Sequence, residues 1–209
     1  HFLVTIPNYV TYDEALRFLN NQKDKIKKIK EKAAAHNEQR EKYIPGRIYN
    51  TKLNKFSIHY HKEGHSYLKT NSAGEYKLFL PQNVNIENED IQSHLREIVR
   101  EIYRIEAKQY LLPRASMFAN KHNLPVNRIT IKNARSRWGS CSSKRNINLN
   151  LNLMRLPDEL IDYVILHELA HLKHQNHSRE FWKFLGTLIE NPKKHDAALK
   201  KYSLHYYAT

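Results

Sequence analysis

A pair of histidines one helical turn apart encloses a glutamate late in the chain. His167, Glu168 and His171 form the pattern HExxH within the segment DELIDYVILHELAHLKH. Four residues are about one turn of an α-helix, so both imidazoles would project from one face and could hold a single tetrahedral Zn²⁺. Glu168 lies one position further round the helix and can reach an open coordination position without being a ligand. The pattern predicts a metal-dependent hydrolytic site with Glu168 as its catalytic acid/base.

The helix that carries this motif is predicted to be buried. Apolar residues cover nearly all of its circumference, and Leu160 and Val164 continue the stripe that holds His167 and His171. Buried imidazole and carboxyl groups need partners, because unpaired polar groups are costly in an apolar interior. A metal ion would satisfy all three side chains. The alternative is a hydrogen-bonded cluster of core histidines without a metal.

A catalytic metal site of this kind needs a third protein ligand. His177 follows His171 after five residues, within the segment HLKHQNHSREFW. We expect the motif helix to end near Gln175 and Ser178 to cap the next helix, which places His177 in the reversal between them. From that reversal His177 could fold back on the metal. The competing ligands are His174, Glu180 and Glu190.

The first half of the chain predicts a helix followed by a small sheet. Residues 11–40 are rich in Lys, Glu, Gln and Ala, with Thr11 and Glu14 placed as a capping box. The segment KFSIHYH then alternates with period two, Glu63-Gly64 predicts a hairpin, and YKLFLP predicts a further strand. Three histidines, which we call the strand histidines, lie in this region: His59, His61 and His65. We expect them to be exposed, without a carboxylate partner for a metal.

The second half predicts an α+β arrangement. Apolar residues recur at intervals of three and four residues from Ile91 to about His122, which indicates a core helix that Pro113 ends or kinks. The segment NRITIK predicts a strand, and NINLNLNL alternates strictly between apolar residues and asparagines. We expect this second strand, residues 147–152, to be an edge with which an extended peptide could pair.

Several segments together resemble the YgjP-like metal-dependent hydrolases, a family of zinc metallopeptidases. They are RWGSC (137–141), the asparagine-alternating strand, IDYVILHELAHL and NHSREFW (176–182). The resemblance implies an α+β, zincin-like metallopeptidase domain with a small β-sheet, a long core helix and a buried HExxH helix. It implies that His167, His171 and His177 hold one Zn²⁺ per chain and that Glu168 is the catalytic acid/base. The chain is also distantly similar to SprT-like domains.

Three residues upstream of the motif are candidate substrate-binding residues. Arg137 could bind a substrate carboxylate or phosphate through two parallel hydrogen bonds, although RWGSC could equally be a packed turn. Trp138 follows in the same segment, and Asn148 lies on the polar face of the predicted edge strand. We expect two regions, residues 1–88 with the first helix and small sheet and residues 89–209 with the metal site, or one continuous domain.

Composition limits the class of protein and suggests partners. The 35 Lys and Arg against 21 Asp and Glu give a net charge of +14, which favours anionic partners such as nucleic acid or nucleotides. Cys141 is the only cysteine, so neither a disulfide framework nor an all-cysteine zinc site fits within one chain. No glycine-rich phosphate loop, membrane-spanning segment or signal peptide is visible, and we expect a cytoplasmic protein.

Three other functions remain open at this stage. With the same metal site, a nucleotide could replace the peptide, which would make the chain a phosphoanhydride hydrolase. A DNA-associated protease would bind DNA with an affinity that falls steeply with salt. A zinc-stabilised binding module would keep its structure and partner binding after Glu168→Gln, whereas a peptidase would lose its activity.

Overall fold

The computed structural model describes Pro7, residues 9–25, Lys27, residues 41–202 and Leu204. The chain divides into two compact units, residues 1–41 and residues 42–209. In the first unit, α1 spans Tyr12–Asn21 and has the predicted capping box. The Thr11 hydroxyl accepts a hydrogen bond from the Glu14 N–H, and the Glu14 carboxylate accepts one from the Thr11 N–H. The predicted continuation of this helix over residues 28–40 lies outside the described residues.

The second unit begins with a four-stranded sheet. Its strands are β1 (Ile48–Asn50), β2 (Lys55–His61), β3 (Tyr67–Thr70) and β4 (Glu75–Pro81). Their order is β1-β2-β4-β3, with β2 and β4 parallel and the other two pairs antiparallel. The predicted hairpin at Glu63-Gly64 is therefore wrong, because β4 lies between β2 and β3. β4 takes the inner position since its Leu78 and Leu80 are buried, whereas β3 is largely exposed.

A long helix, α2 (Glu89–Lys121), follows this sheet and continues through Pro113. Of the two expectations for Pro113, that it ends the helix or kinks it, the first is wrong, because the helix continues to Lys121. Proline forfeits one backbone hydrogen bond in a helix, and burial of the flanking residues offsets that loss, because Leu111 and Ala115 are fully buried. The predicted apolar face is present, with Leu95 and Ile102 in the core.

A second sheet has three strands: β5 (Arg128–Lys132), β6 (Gly139–Cys141) and β7 (Asn146–Asn150). Their order is β5-β7-β6, with β5 parallel and β6 antiparallel to β7. The prediction that residues 147–152 form an edge strand is wrong, because β7 is central and ends at Asn150. The Asn150 side chain instead accepts from the Asn152 N–H and starts a 3₁₀-helix, Leu151–Arg155. The edge strand that packs against the helix carrying the HExxH motif is β6.

Three helices complete the fold: α3 (Asp158–Ala170), α4 (Arg179–Leu188) and α5 (Pro192–Leu199). As predicted, α3 is buried on nearly all sides, and one cluster of buried residues extends from Tyr43 to Leu185. The architecture is α+β, with small sheets and a long core helix, and the division at residues 88 and 89 stays a prediction. Among the described helices, none is both long enough and apolar enough to cross a bilayer.

Candidate metal centre

Three histidines meet at the C-terminal end of α3, and we call them the helix histidines: His167, His171 and His177. Their candidate ligand nitrogens all lie within 4.8 Å of one another. The Nε2 atoms of His167 and His177 are 2.9 Å apart. Two imidazole nitrogens this close need a proton or a cation between them, since two facing lone pairs repel. The donor set therefore fits a metal held by three imidazoles, with one position left open.

The turn after α3 brings the third histidine back to the first two. α3 ends at Ala170, earlier than the predicted end near Gln175, because the Gln175 amide satisfies the His171 carbonyl oxygen from outside the helix (2.8 Å). Ser178 then caps α4 by accepting from the Phe181 N–H (3.3 Å). His177 lies in this reversal, as expected, and its ring packs against the Phe181 ring at 4.9 Å.

The three competing third ligands are not part of this group. The His174 ring packs against Phe184 at a centroid distance of 5.7 Å. Glu180 lies in the first turn of α4, where hydrogen bonds from its own N–H and from Ser178 lower its carboxyl pKa. Glu190 follows α4, and neither glutamate lines the cavity around the helix histidines. His177 is the candidate that the fold brings to His167 and His171, although its role as a ligand stays a prediction.

Hydrogen bonds orient two of the three rings. His171 Nδ1 lies 2.9 Å from the His174 carbonyl oxygen, which can only accept, so Nδ1 carries the proton and Nε2 keeps its lone pair. The Tyr163 hydroxyl donates to Asp196 Oδ1 (3.3 Å) and lies 3.3 Å from His167 Nδ1. Because that hydroxyl proton is already donated, its oxygen accepts from His167 Nδ1–H. Both rings therefore present Nε2 to the centre, as ligating histidines usually do.

The histidines of α3 are held neutral, which ligation requires. Burial, helped by the nearby His171 and His177, lowers the pKa of His167 to about 4. Burial also lowers the pKa of His171. Because metal ions compete with protons for the same nitrogens, a low imidazole pKa leaves these lone pairs available at neutral pH.

Glu168 lies between this cluster and β6. Its side chain is nearly buried, and a Cβ atom at Gly139 would lie 2.6 Å from Glu168 Cγ and Oε1. Gly139 therefore makes the space that the carboxyl group occupies. Burial raises the pKa of Glu168 to about 8, although the nearby Arg137 opposes this effect. A carboxyl group that titrates near neutral pH is suited to both accepting and returning a proton.

These groups line one open cavity of about 520 Å³, together with two of the three predicted substrate-binding residues, Arg137 and Trp138. Asn148 does not line it. It faces the other side of the sheet, where its amide donates to Ser140 Oγ (3.1 Å) and its carbonyl oxygen accepts from the Thr130 hydroxyl (2.5 Å). This placement gives no support to Asn148 as a residue that contacts substrate at the helix histidines.

Sequence reasoning missed two residues of this site. Tyr163 precedes His167 by one helical turn, and that spacing is a signal that could have identified it. Asp196 comes from α5, and no local pattern connects it with the motif. Cys141 also lines the cavity, but burial and the charge of Glu168 raise its thiol pKa, which disfavours the reactive thiolate.

A comparison with protein families gives the class of protein to which this chain belongs. The YgjP-like, metallopeptidase domain model matches residues 1–202, so the chain belongs to this family. It is therefore a hydrolase, and the family implies a divalent metal. No curated protein matches the chain.

Two solved structures resemble parts of the chain. The metallopeptidase zymogen of Pyrococcus abyssi abylysin is 22% identical, with a TM-score of 0.39, over 44% of this chain and 93% of that one. The metallopeptidase zymogen of Methanocaldococcus jannaschii jannalysin is 27% identical, with a TM-score of 0.38, over 44% of this chain and 92% of that one.

Proposed function

We propose that this chain is a zinc peptidase in which His167, His171 and His177 hold the metal and Glu168 moves the proton. The observation that carries this proposal is the meeting of three imidazole nitrogens within 4.8 Å, beside a nearly buried glutamate in an open cavity. Three imidazoles and one open position form a donor set that suits catalytic zinc. When bound there, zinc would supply Lewis acidity, which activates water and polarises a carbonyl group.

Residues of the chain transfer the proton, leave room for the catalytic carboxyl group and bind the peptide. Glu168 takes a proton from the attacking water and gives it to the leaving amine, which completes cleavage of the peptide C–N bond. Gly139 leaves room for that carboxyl group next to the substrate. β6 pairs with β7 on one side, and no described strand occupies its other side. An extended peptide can add to this free edge of β6 through backbone hydrogen bonds.

The composition of the cavity favours a peptide over a nucleotide. Arg137 is the one Lys or Arg among the described residues that line it, and the acidic Asp196 also lines it. A nucleoside triphosphate carries several negative charges and would need more cations than this. A DNA-associated peptidase remains compatible with the net charge of +14. Binding of nucleic acid and a cytoplasmic location stay predictions.

The test compares Glu168→Gln with Glu159→Gln, a control in the same helix at an exposed position. Both variants and the wild type are loaded with zinc and assayed on an unstructured protein and on nucleoside triphosphates. Glu168→Gln should keep the zinc and lose about 10²–10⁴-fold in rate, the usual effect of removing a general acid/base, whereas Glu159→Gln should match the wild type. An unchanged rate in Glu168→Gln with zinc retained would refute the proposed mechanism. Phosphate release without proteolysis would mean that the substrate is a nucleotide and not a peptide.

A further inference from the structure

The free edge of β6 gives a direction to any peptide that pairs with it. β6 runs from Gly139 to Cys141 along the cavity, and all three of its residues line that cavity. Antiparallel pairs are more frequent than parallel pairs and slightly more stable per residue. A peptide that pairs in this way runs opposite to β6, so its C-terminal end points back toward residue 137.

The position of Glu168 along β6 marks where cleavage takes place. A Cβ atom at Gly139 would lie 2.6 Å from Glu168 Oε1, so the carboxyl group lies beside the first residue of β6. The scissile bond must come within reach of the same carboxyl group, because Glu168 exchanges protons with the attacking water and the leaving amine. In an antiparallel peptide this bond therefore lies near Gly139.

Arg137 lies two residues before that point. Residues 137 and 138 precede β6, and because an extended residue advances about 3.3 Å, these two residues span at most roughly 7 Å. A leaving fragment of one or two residues would therefore end close to Arg137. The arginine is also near enough to Glu168 to influence its pKa, and it lines the same cavity.

The backbone around Arg137 is fixed, and its side chain is available. Asn150, which is 2% exposed, donates its amide to the Arg137 carbonyl oxygen (2.8 Å) and to the Ala134 carbonyl oxygen (2.7 Å). The Asn150 N–H donates to the Trp138 carbonyl oxygen (2.9 Å). The Arg137 side chain is exposed, and no carboxylate of the described residues forms an ion pair with it. The guanidinium group is thus an exposed cation on a fixed backbone, with Glu168 as a nearby acidic group but no ion pair to any carboxylate of the described residues.

We propose that Arg137 binds the free α-carboxylate of the peptide substrate and makes the enzyme a carboxypeptidase that releases one or two C-terminal residues. This inference rests on the proposed peptidase function. The peptide C–N bond breaks, the hydroxyl of water joins the carbonyl carbon, and the remaining proton passes through Glu168 to the leaving amine. The planar guanidinium group suits this ligand because it can form two parallel hydrogen bonds with one carboxylate.

The test uses pairs of peptides that differ only in a free or an amidated C-terminus. The zinc-loaded enzyme should cleave the free acid roughly ten- to a hundredfold faster in kcat/KM, the range expected when a charge-assisted hydrogen-bonded pair is lost. Mass spectrometry should identify a single amino acid or a dipeptide as the leaving product. Arg137→Gln should abolish the preference for the free acid. Arg135→Gln, an exposed arginine that does not line the cavity, should retain it.

A binding measurement separates this inference from the peptidase function itself. Calorimetry on zinc-loaded Glu168→Gln should show tighter binding of a dipeptide acid than of its amide, and Arg137→Gln in that background should remove the difference. Equal cleavage of both peptides, internal cleavage, or a preference that survives Arg137→Gln overturns the carboxylate site and leaves the peptidase intact. Cleavage of neither peptide refutes the peptidase, and equal binding of acid and amide then refutes the carboxylate site as well.

Discussion

The strand histidines and the helix histidines are the same residue type in the same number, in different surroundings. The helix histidines have ring centroids 4.8–4.9 Å apart and nitrogens directed at a common centre. In the strand group, the rings of His61 and His65 are 6.3 Å apart. Among the described residues, the helix histidines are the one group of three or more His, Cys, Asp or Glu side chains placed so that they could hold a metal ion.

Other partners occupy the strand histidines. His59 Nε2 lies 2.9 Å from Ser57 Oγ, and its ring stacks on Phe79 at 5.3 Å. His61 packs edge-on against Tyr67 at 4.9 Å. The His61 side chain is only 11% exposed and His59 is half-buried, so the expectation of exposed histidines is wrong for both; His65 is exposed. Stacking fixes these rings in positions that do not share a centre.

Each histidine group also has a neighbouring carboxyl group. Glu63 Oε2 lies 3.9 Å from His61 Nδ1 and from His65 Nε2, so the expected lack of a carboxylate partner is also wrong. Glu63 is 66% exposed, whereas Glu168 is 7% exposed. Water screens the first carboxylate, and burial changes the proton affinity of the second. Residue composition alone therefore does not bring ligand atoms together. The spacing of one helical turn and the chain reversal bring the three helix histidines together, although His177 itself is exposed.

Removal of one histidine from each group tests this comparison most directly. His171→Ala should abolish binding of the one zinc equivalent, because two imidazoles alone rarely hold zinc tightly. His65→Ala should leave both the stoichiometry and the affinity at wild-type values. Elemental analysis after dialysis measures the metal content of each variant. A loss of metal in His65→Ala would show that the strand histidines bind it.

Two alanine variants distinguish the predicted third ligand, His177, from His174 in the same turn. His177→Ala should lower zinc affinity by orders of magnitude, whereas His174→Ala should leave it close to wild type. The His174 carbonyl oxygen that orients His171 belongs to the backbone and survives the alanine substitution. Competition with a chromogenic chelator measures both affinities. The opposite ranking would assign the third ligand to His174.

Loss of the hydrogen bonds that orient His167 should lower zinc affinity by less than loss of a ligand. Tyr163→Phe keeps the buried ring but removes the hydroxyl that links Asp196 to His167. Loss of such an outer partner usually lowers metal affinity by about 10–100-fold, and we expect Asp196→Asn to lower it less. The double variant should be no weaker than Tyr163→Phe, because both changes break one chain of bonds. Tyr60→Phe, on the sheet, is the control; additive losses would contradict a single chain.

The part of the site that sequence could predict is the part with local spacing. His167, Glu168 and His171 follow from one helical turn, and the reversal before Ser178 placed His177 near them. The partners that come from elsewhere in the chain left no such signal: Asp196 depends on how α5 packs against α3. Likewise, the α+β class followed from periodicity, whereas strand order did not. β6 has only three residues, too few to show alternation, and yet it is the edge beside the cavity.

The smallest expected effect is on how the stability of the metal-free protein depends on pH. It compares the carboxyl groups of Glu168 and Glu63. The pKa of Glu168 is raised from 4.5 to about 8 in the fold, so the folded chain keeps a proton that the unfolded chain releases between these values. Stability must then fall as pH rises from about 4.5 to about 8, since the folded state binds more protons there. Glu168→Gln removes this dependence, while Glu63→Gln, at an exposed position, should not.

Melting temperatures of the metal-free proteins at pH 5 and pH 8.5 measure the difference. At pH 5 the wild type and Glu168→Gln should melt together, apart from any constant offset caused by the amide. At pH 8.5 the variant should gain at least ~2 °C relative to that offset, which corresponds to about 1 kcal/mol for a chain of this size. Bound zinc should shrink the gain, because a nearby cation favours the carboxylate form. The same pH slope in the wild type and in Glu168→Gln would mean that the fold does not raise the pKa of Glu168, contrary to what its burial predicts.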